Sequence, residues 1–105
     1  MAEVTFKEPI EFNWDEGNQQ KNFIKHRVTD KEAEEVFLNP KKQIFEDVKH
    51  LVQERRYLLF GQTVESRLLI VALTLRGDKV RIISARDMNK KEKKIYEEAI
   101  KNSKI

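Results

Sequence analysis

A chain of 105 residues is long enough to bury one small core but not two, so a single domain over residues 1–105 is expected. It has no cysteine and two histidines, which excludes a disulfide framework, a thiolate metal site and a cysteine nucleophile. The net charge of +3 is unevenly spread, with −4 on residues 1–38, +2 on residues 39–78 and +5 on residues 79–105.

Ile10, Phe12 and Trp14 alternate with polar residues and predict a short opening strand. Asp15 is placed to cap a mostly polar helix reaching about His26, with Phe23 and Ile24 as its clearest anchors. Thr29 and Glu32 form a capping-box pattern. Ala33, Val36 and Phe37 then supply the apolar stripe of a second helix that Asn39-Pro40 ends. The acidic face of that helix, Glu32, Glu34 and Glu35, fits either solvent or a basic partner. From Gln43 the period changes, predicting strands over Gln43–Glu46, Arg55–Thr63, Arg67–Leu75 and Lys79–Arg86, with a tight turn at Arg76-Gly77-Asp78. The longest apolar run, Leu68 to Leu73, is far too short to span a bilayer, and the acidic, broken start lacks a signal-peptide pattern. A cytoplasmic protein without membrane contact is the expectation. Asn89 and Glu92 repeat the capping pattern, opening a lysine-rich helix to Asn102 that docks through Ile95, Tyr96, Ala99 and Ile100. Two early helices, four antiparallel strands and a closing helix make an α+β fold.

Arg81-Ile-Ile-Ser-Ala-Arg86 carries an arginine to the end of the last strand, where the closing helix begins, and a fixed cation at a sheet rim suits an anion site. Arg67 and Arg76 bracket the preceding strand, and Glu54 and Arg56 fall on the face opposite Arg55. Asn22, Lys25 and His26 share one side of their helix. Each of these groups also has a plain structural reading as an ion pair, a helix-end cation or a solvated strand end. The basic C-terminal third can attract phosphate, and on charge alone it fits a solvated helix equally well. The acidic residues sit mostly on helix faces, away from clustered imidazoles, which speaks against a metal hydrolase. A glycine-rich phosphate loop and a Gly-x-Ser-x-Gly elbow are both absent. Cation-rich phosphate chemistry remains, without a cofactor or metal.

The order Phe12, Trp14, Asp15; Asn22, Lys25, His26; Glu32, Ala33, Val36, Phe37; Pro40; Asp47, His50; Arg56, Gly61; Arg67; Thr74; Arg76-Gly77; Arg81 to Arg86; Glu92, Tyr96, Glu97 resembles the BrnT toxins, the ribonuclease half of BrnT/BrnA type II toxin–antitoxin systems. The resemblance runs from about residue 10 to 98. It implies a RelE-like fold, RNA cleavage that inhibits translation, and neutralisation by a BrnA-like antitoxin, with DNA bound only through the antitoxin complex. The chain departs from the family pattern at Arg27, where a glycine usually follows the histidine, and at Asp30, Asn39 and Arg55.

Under this reading Arg86, Arg56 and Lys25 stabilise charge on the reacting phosphate, and His26 or Glu54 serves as base for the ribose 2′-hydroxyl. Arg67, Arg76 and Arg81 bind the substrate backbone. The alternatives are a non-catalytic RNA- or ribosome-binding module that uses the same arginines and transfers no proton, and an interaction protein whose charged faces bind only a partner chain.

Overall fold

Four antiparallel strands in the order β1 (Gln43–Asp47), β2 (Arg56–Gln62), β3 (Leu68–Arg76) and β4 (Lys79–Asp87) form the sheet of the computed structural model, which describes residues 9–47 and 55–103. Each strand end lies within one residue of its predicted position, because the apolar alternation and the turn residues specify both ends.

One sheet face is covered by α1 (Lys21–His26) and α2 (Asp30–Leu38), the other by α3 (Lys90–Ser103). The main core lies under α2. There Val28, Ala33, Val36 and Phe37 pack on Leu59, Val71, Leu73 and Ile82, all at most 1% exposed. Val36 sits directly over Gly61, where a Cβ would come within 2.6 Å of its methyl group, so the helix approaches the sheet closely only because that position has no side chain. The capping box of α2 is complete: Thr29 Oγ1 accepts from the Glu32 N–H at 3.0 Å and Glu32 Oε1 accepts from the Thr29 N–H at 2.9 Å. Asn89 and Glu92 make the same reciprocal pair at the start of α3. A smaller cluster of Ile70, Met88 and Tyr96 seats α3 on the second face, whereas Ile95 is 44% exposed and lies outside the docking stripe. Among the described residues no helix is long and apolar enough to cross a membrane.

The N-terminal region departs from its predicted form. The opening strand reduces to one parallel bridge, Phe12 to Val80, flanked by backbone hydrogen bonds from Val80 N to Glu11 O and from Asn13 N to Val80 O. Asp15 does not start a long helix. Its carboxylate accepts from the Gly17 N–H at 2.7 Å in a local Asx turn, and Gln20 then adopts a left-handed φ of 59°, so α1 begins only at Lys21. The Gln20 N–H is held by both oxygens of Asp30 at 3.1 Å. Phe23 and Ile24 are not anchors, being 43% and 76% exposed; the buried residue of α1 is Asn22.

The reason lies in the outer edge of β4. An edge strand presents backbone groups that need partners. Asn18 Nδ2 donates to Ile82 O at 3.2 Å and Asn22 Oδ1 accepts from the Ala85 N–H at 3.0 Å, so two asparagine side chains extend the cover that the Phe12 bridge begins. A straight amphipathic helix anchored by Phe23 would turn Asn22 away from that edge.

Candidate active site

The face of β4 that each arginine occupies is set by an irregularity. Ser84 pairs with Ala72 and Ile82 with Leu73, leaving Ile83 as an extra residue, a β-bulge. Simple alternation puts Arg81 and Arg86 on opposite faces. The bulge instead brings Arg81, Ser84 and Arg86 onto one face, the one α3 partly covers, and leaves Val80, Ile82 and Ala85 in the core.

Register then aligns three rows across that face. Arg86 lies opposite Ile70, which is opposite Phe60; Ser84 lies beside Ala72 and Leu58; Arg81 lies beside Thr74, which is opposite Arg56. The outer rows are four residues apart on β2, about 13 Å. The half-exposed middle row of Leu58, Ala72 and Ser84 forms a floor between Arg86 at one end and Arg56 and Arg81 at the other.

Arg86 is held by a two-point contact. Its Nη1 and Nη2 donate to Glu92 Oε1 and Oε2, each at 2.8 Å, and Glu92 is in turn fixed by the Asn89 N–H. The fork leaves the Arg86 side chain 43% exposed against 18% for Glu92, so the guanidinium is rigid yet still open to an incoming anion. The Arg86 hydrogen bonds, working against burial, hold the Glu92 carboxyl below its ordinary range, and Glu92 raises Arg86 in return. Glu92 was legible in the sequence only as a helix cap. Its second partner lies six residues back across the strand-to-helix turn, and no periodicity signals that pairing.

The remaining predicted site residues divide around the end of β4. Lys25 and His26 belong to α1, beside the core face and the outer edge of β4, while Arg86 points to the other face. His26 lies close enough to Asp87 to help lower that carboxyl, so the α1 end and Arg86 flank the same strand terminus without sharing a face. Arg67 ties this junction together. It donates to Asp87 at 2.8 and 3.0 Å, to Glu32 at 3.2 and 3.3 Å, and to the carbonyls of Arg27 at 2.7 Å and His26 at 3.3 Å. Arg81 is similarly engaged. Its side chain is 13% exposed and bonded to Asn13 and both Asp15 oxygens, and Gly17 leaves room for it, since a Cβ there would stand 2.8 Å from Nη2. These contacts give Arg67 and Arg81 the ion-pair role that was the plain structural alternative to binding substrate. Arg76 is exposed at the β3–β4 turn, where its charge reaches Asp15. Glu54 and His50 lie outside the described residues.

The three glutamates of the acidic α2 face each have a partner within the chain. Glu32 holds Arg67, Glu34 accepts from the Trp14 indole at 2.6 Å, and Glu35 accepts from the Val64 N–H at 3.1 Å. The departures from the family pattern are also accommodated. Arg27 takes the left-handed φ of 58° that a glycine adopts cheaply, while its guanidinium lies 5.4 Å from the Phe23 ring centroid. Arg55 turns outward, 74% exposed, toward Glu46 at 3.5 Å.

The ion pairs predict an acid response. Arg67 holds Asp87 below its ordinary value against burial, and burial of Glu32 is outweighed by the Thr29 N–H and Arg67, so both titrate low in the folded chain, as Glu92 does. A carboxyl lowered by folding stabilises the protein above its unfolded pKa, and that stabilisation is lost as pH falls through the folded value. The thermal midpoint is therefore expected to hold steady down to about pH 5 and to fall steeply below about pH 4, past the ordinary values of 4.5 and 3.8. Asp87→Asn should melt lower than the parent near pH 7, and the gap should narrow steadily as pH falls below the ordinary value of 3.8; a constant gap across that range would contradict the assignment.

Among the described residues no three His, Cys, Asp or Glu side chains come together so as to hold a metal ion. The family model for BrnT, the ribonuclease toxin of type II toxin–antitoxin systems, matches residues 14–92. The chain belongs to the BrnT family. No curated protein matches it. The matched span includes every predicted site residue and ends on Glu92, the residue that holds Arg86. A BrnT toxin acts on RNA and has an antitoxin as its partner.

Proposed function

We propose that this BrnT-family toxin is a metal-independent endoribonuclease that arrests translation by cutting RNA and is neutralised by a BrnA-like antitoxin. DNA would be bound only through the toxin–antitoxin complex. The observation that carries the reading is Arg86, locked by Glu92 at the sheet rim with its side chain 43% exposed. A pre-oriented guanidinium in that position suits the charge that develops on a phosphorane.

The ribose 2′-hydroxyl attacks the adjacent phosphorus while a base takes its proton. The bond to the 5′-oxygen breaks, and an acid returns a proton to that oxygen, leaving a 2′,3′-cyclic phosphate and a 5′-hydroxyl. Arg86 offsets the added negative charge directly, while Lys25 on the α1 side and Arg56 at the far end of the floor add positive potential from further away. His26 is the base within the described residues, since an imidazole nitrogen can accept the hydroxyl proton, and Glu54 is the carboxylate alternative. Because His26 and Arg86 flank the end of β4 from different sides, the scissile phosphate would bridge that strand terminus, with Arg67 keeping the two sides in register.

Purified partner-free protein incubated in EDTA with RNA, matched DNA and a 2′-O-methyl strand tests the reaction. Only the RNA should be cut, and its fragments should end in cyclic phosphate. Cleavage that needs added metal, or cleavage of the 2′-O-methyl strand, would overturn the mechanism. RNA bound but left intact would favour the non-catalytic binding module.

A further inference from the structure

The opening of α3, though capped by Asn89 and Glu92, carries an excess of cations. Lys90, Lys91, Lys93 and Lys94 occupy four of its first five positions, where the helix dipole already places partial positive charge. The one acid among them, Glu92, turns inward to Arg86. Among the described residues no carboxylate forms an ion pair with any of the four lysines, and all four are exposed. Lys93 lies near enough to Asp87 to lower that carboxyl, but Asp87 is already paired with Arg67.

The lysine patch adjoins the proposed site. The Arg86–Glu92 fork pins the first turn of α3 to the end of β4, and Lys93, close enough to Asp87 to lower its carboxyl, stands beside that junction. Glu92 and Tyr96, four residues apart, share the inward face of α3, so Lys90, Lys94 and Lys101 line about 16 Å of the outer face with Lys91 and Lys93 on its flanks, and a strand leaving Arg86 passes Lys93 before it reaches that outer stripe. Ammonium groups on flexible stems act as point charges and impose no base geometry, which suits a polyanion held without sequence preference.

We propose that Lys90, Lys91, Lys93 and Lys94 form a docking track for the phosphates of a single-stranded RNA that runs from the Arg86 site onto α3. The track rests on the ribonuclease reading for its occupant. It contributes affinity and direction, while discrimination against DNA stays with the 2′-hydroxyl at the bond that breaks.

The test is binding of a 2′-O-methyl oligonucleotide, which keeps the phosphates but lacks the attacking hydroxyl, followed by fluorescence anisotropy at rising salt. Changing the four lysines to glutamine should flatten the slope of log affinity against log salt by about 2 to 3, at roughly 0.7 per lost single-strand phosphate contact. A control with the same charge loss, Lys21, Lys31, Lys41 and Lys79 to glutamine, should change it by less than about 1. Replacing the four α3 lysines by arginine should preserve the parent slope. Equal slopes in the glutamine variant and the parent, or equal losses in variant and control, would overturn the track, the second outcome reducing it to net charge. If the four-fold glutamine variant fails to melt cooperatively, the single variants, each removing about 0.7 of slope, read the same quantity. Failure of the parent to cut natural RNA, with the slope change present, would count against the ribonuclease reading and leave the track standing.

Discussion

Arg86→Ala is expected to slow RNA cleavage by about 10²- to 10³-fold or more, the usual loss when a fixed donor to developing transition-state charge is removed. The protein should still fold. Glu92 keeps its bond to the Asn89 N–H and stands near solvent, so losing its partner costs about 1 kcal/mol, far less than breaking a fully buried pair. Arg86→Lys keeps the charge but cannot reproduce the two-point contact with Glu92, and should recover only part of the rate. Rates measured at saturating RNA, alongside thermal melts of each variant, separate lost chemistry from lost structure. Full activity in a folded Arg86→Ala protein would remove this residue from the site.

Arg67→Ala should produce the largest loss of stability among the arginine variants. One guanidinium joins the end of β4 through Asp87, the first turn of α2 through Glu32, and the last turn of α1 through two carbonyls. Removing it leaves two carboxylates and two carbonyls to find water at a junction where the Arg67 side chain is 28% exposed. Discounted for that solvent access, the cost is about 2 to 3 kcal/mol. In a domain of this size that lowers the thermal midpoint by roughly 10 to 20 °C. Removing Asp87 or Glu32 alone should cost less than removing Arg67, and a cycle with Arg67→Ala should show strong coupling. If Arg67 instead served mainly to bind substrate, its alanine variant would melt like the parent and show only a raised KM. The two readings therefore separate on one thermogram.

These two arginines mark where sequence pattern stops being informative. Arg67 stands just before β3 and Arg86 near the end of β4, and nothing local distinguishes a guanidinium enclosed by carboxylates from one left partly open. Their partners are 20, 35 and 6 residues away in the chain, and only packing brings them together. The prediction of Phe23 and Ile24 as anchors failed for a related reason. Apolar character there is outweighed by the unpaired edge of β4, which needs the polar Asn22, and the best anchor of α1 is consequently an amide.

By itself the sequence determined the α+β class, the four strands to within a residue, both capping boxes, the stripe of α2 and the family. All of these depend on short-range alternation, turn chemistry and cap spacing, which a chain expresses locally. Tertiary structure alone decided which face each β4 arginine occupies, because one extra residue at Ile83 reverses the alternation for everything that follows. It also decided which cations are enclosed and which stay open, because an ion pair across the sheet depends on where distant elements dock rather than on the residues beside it.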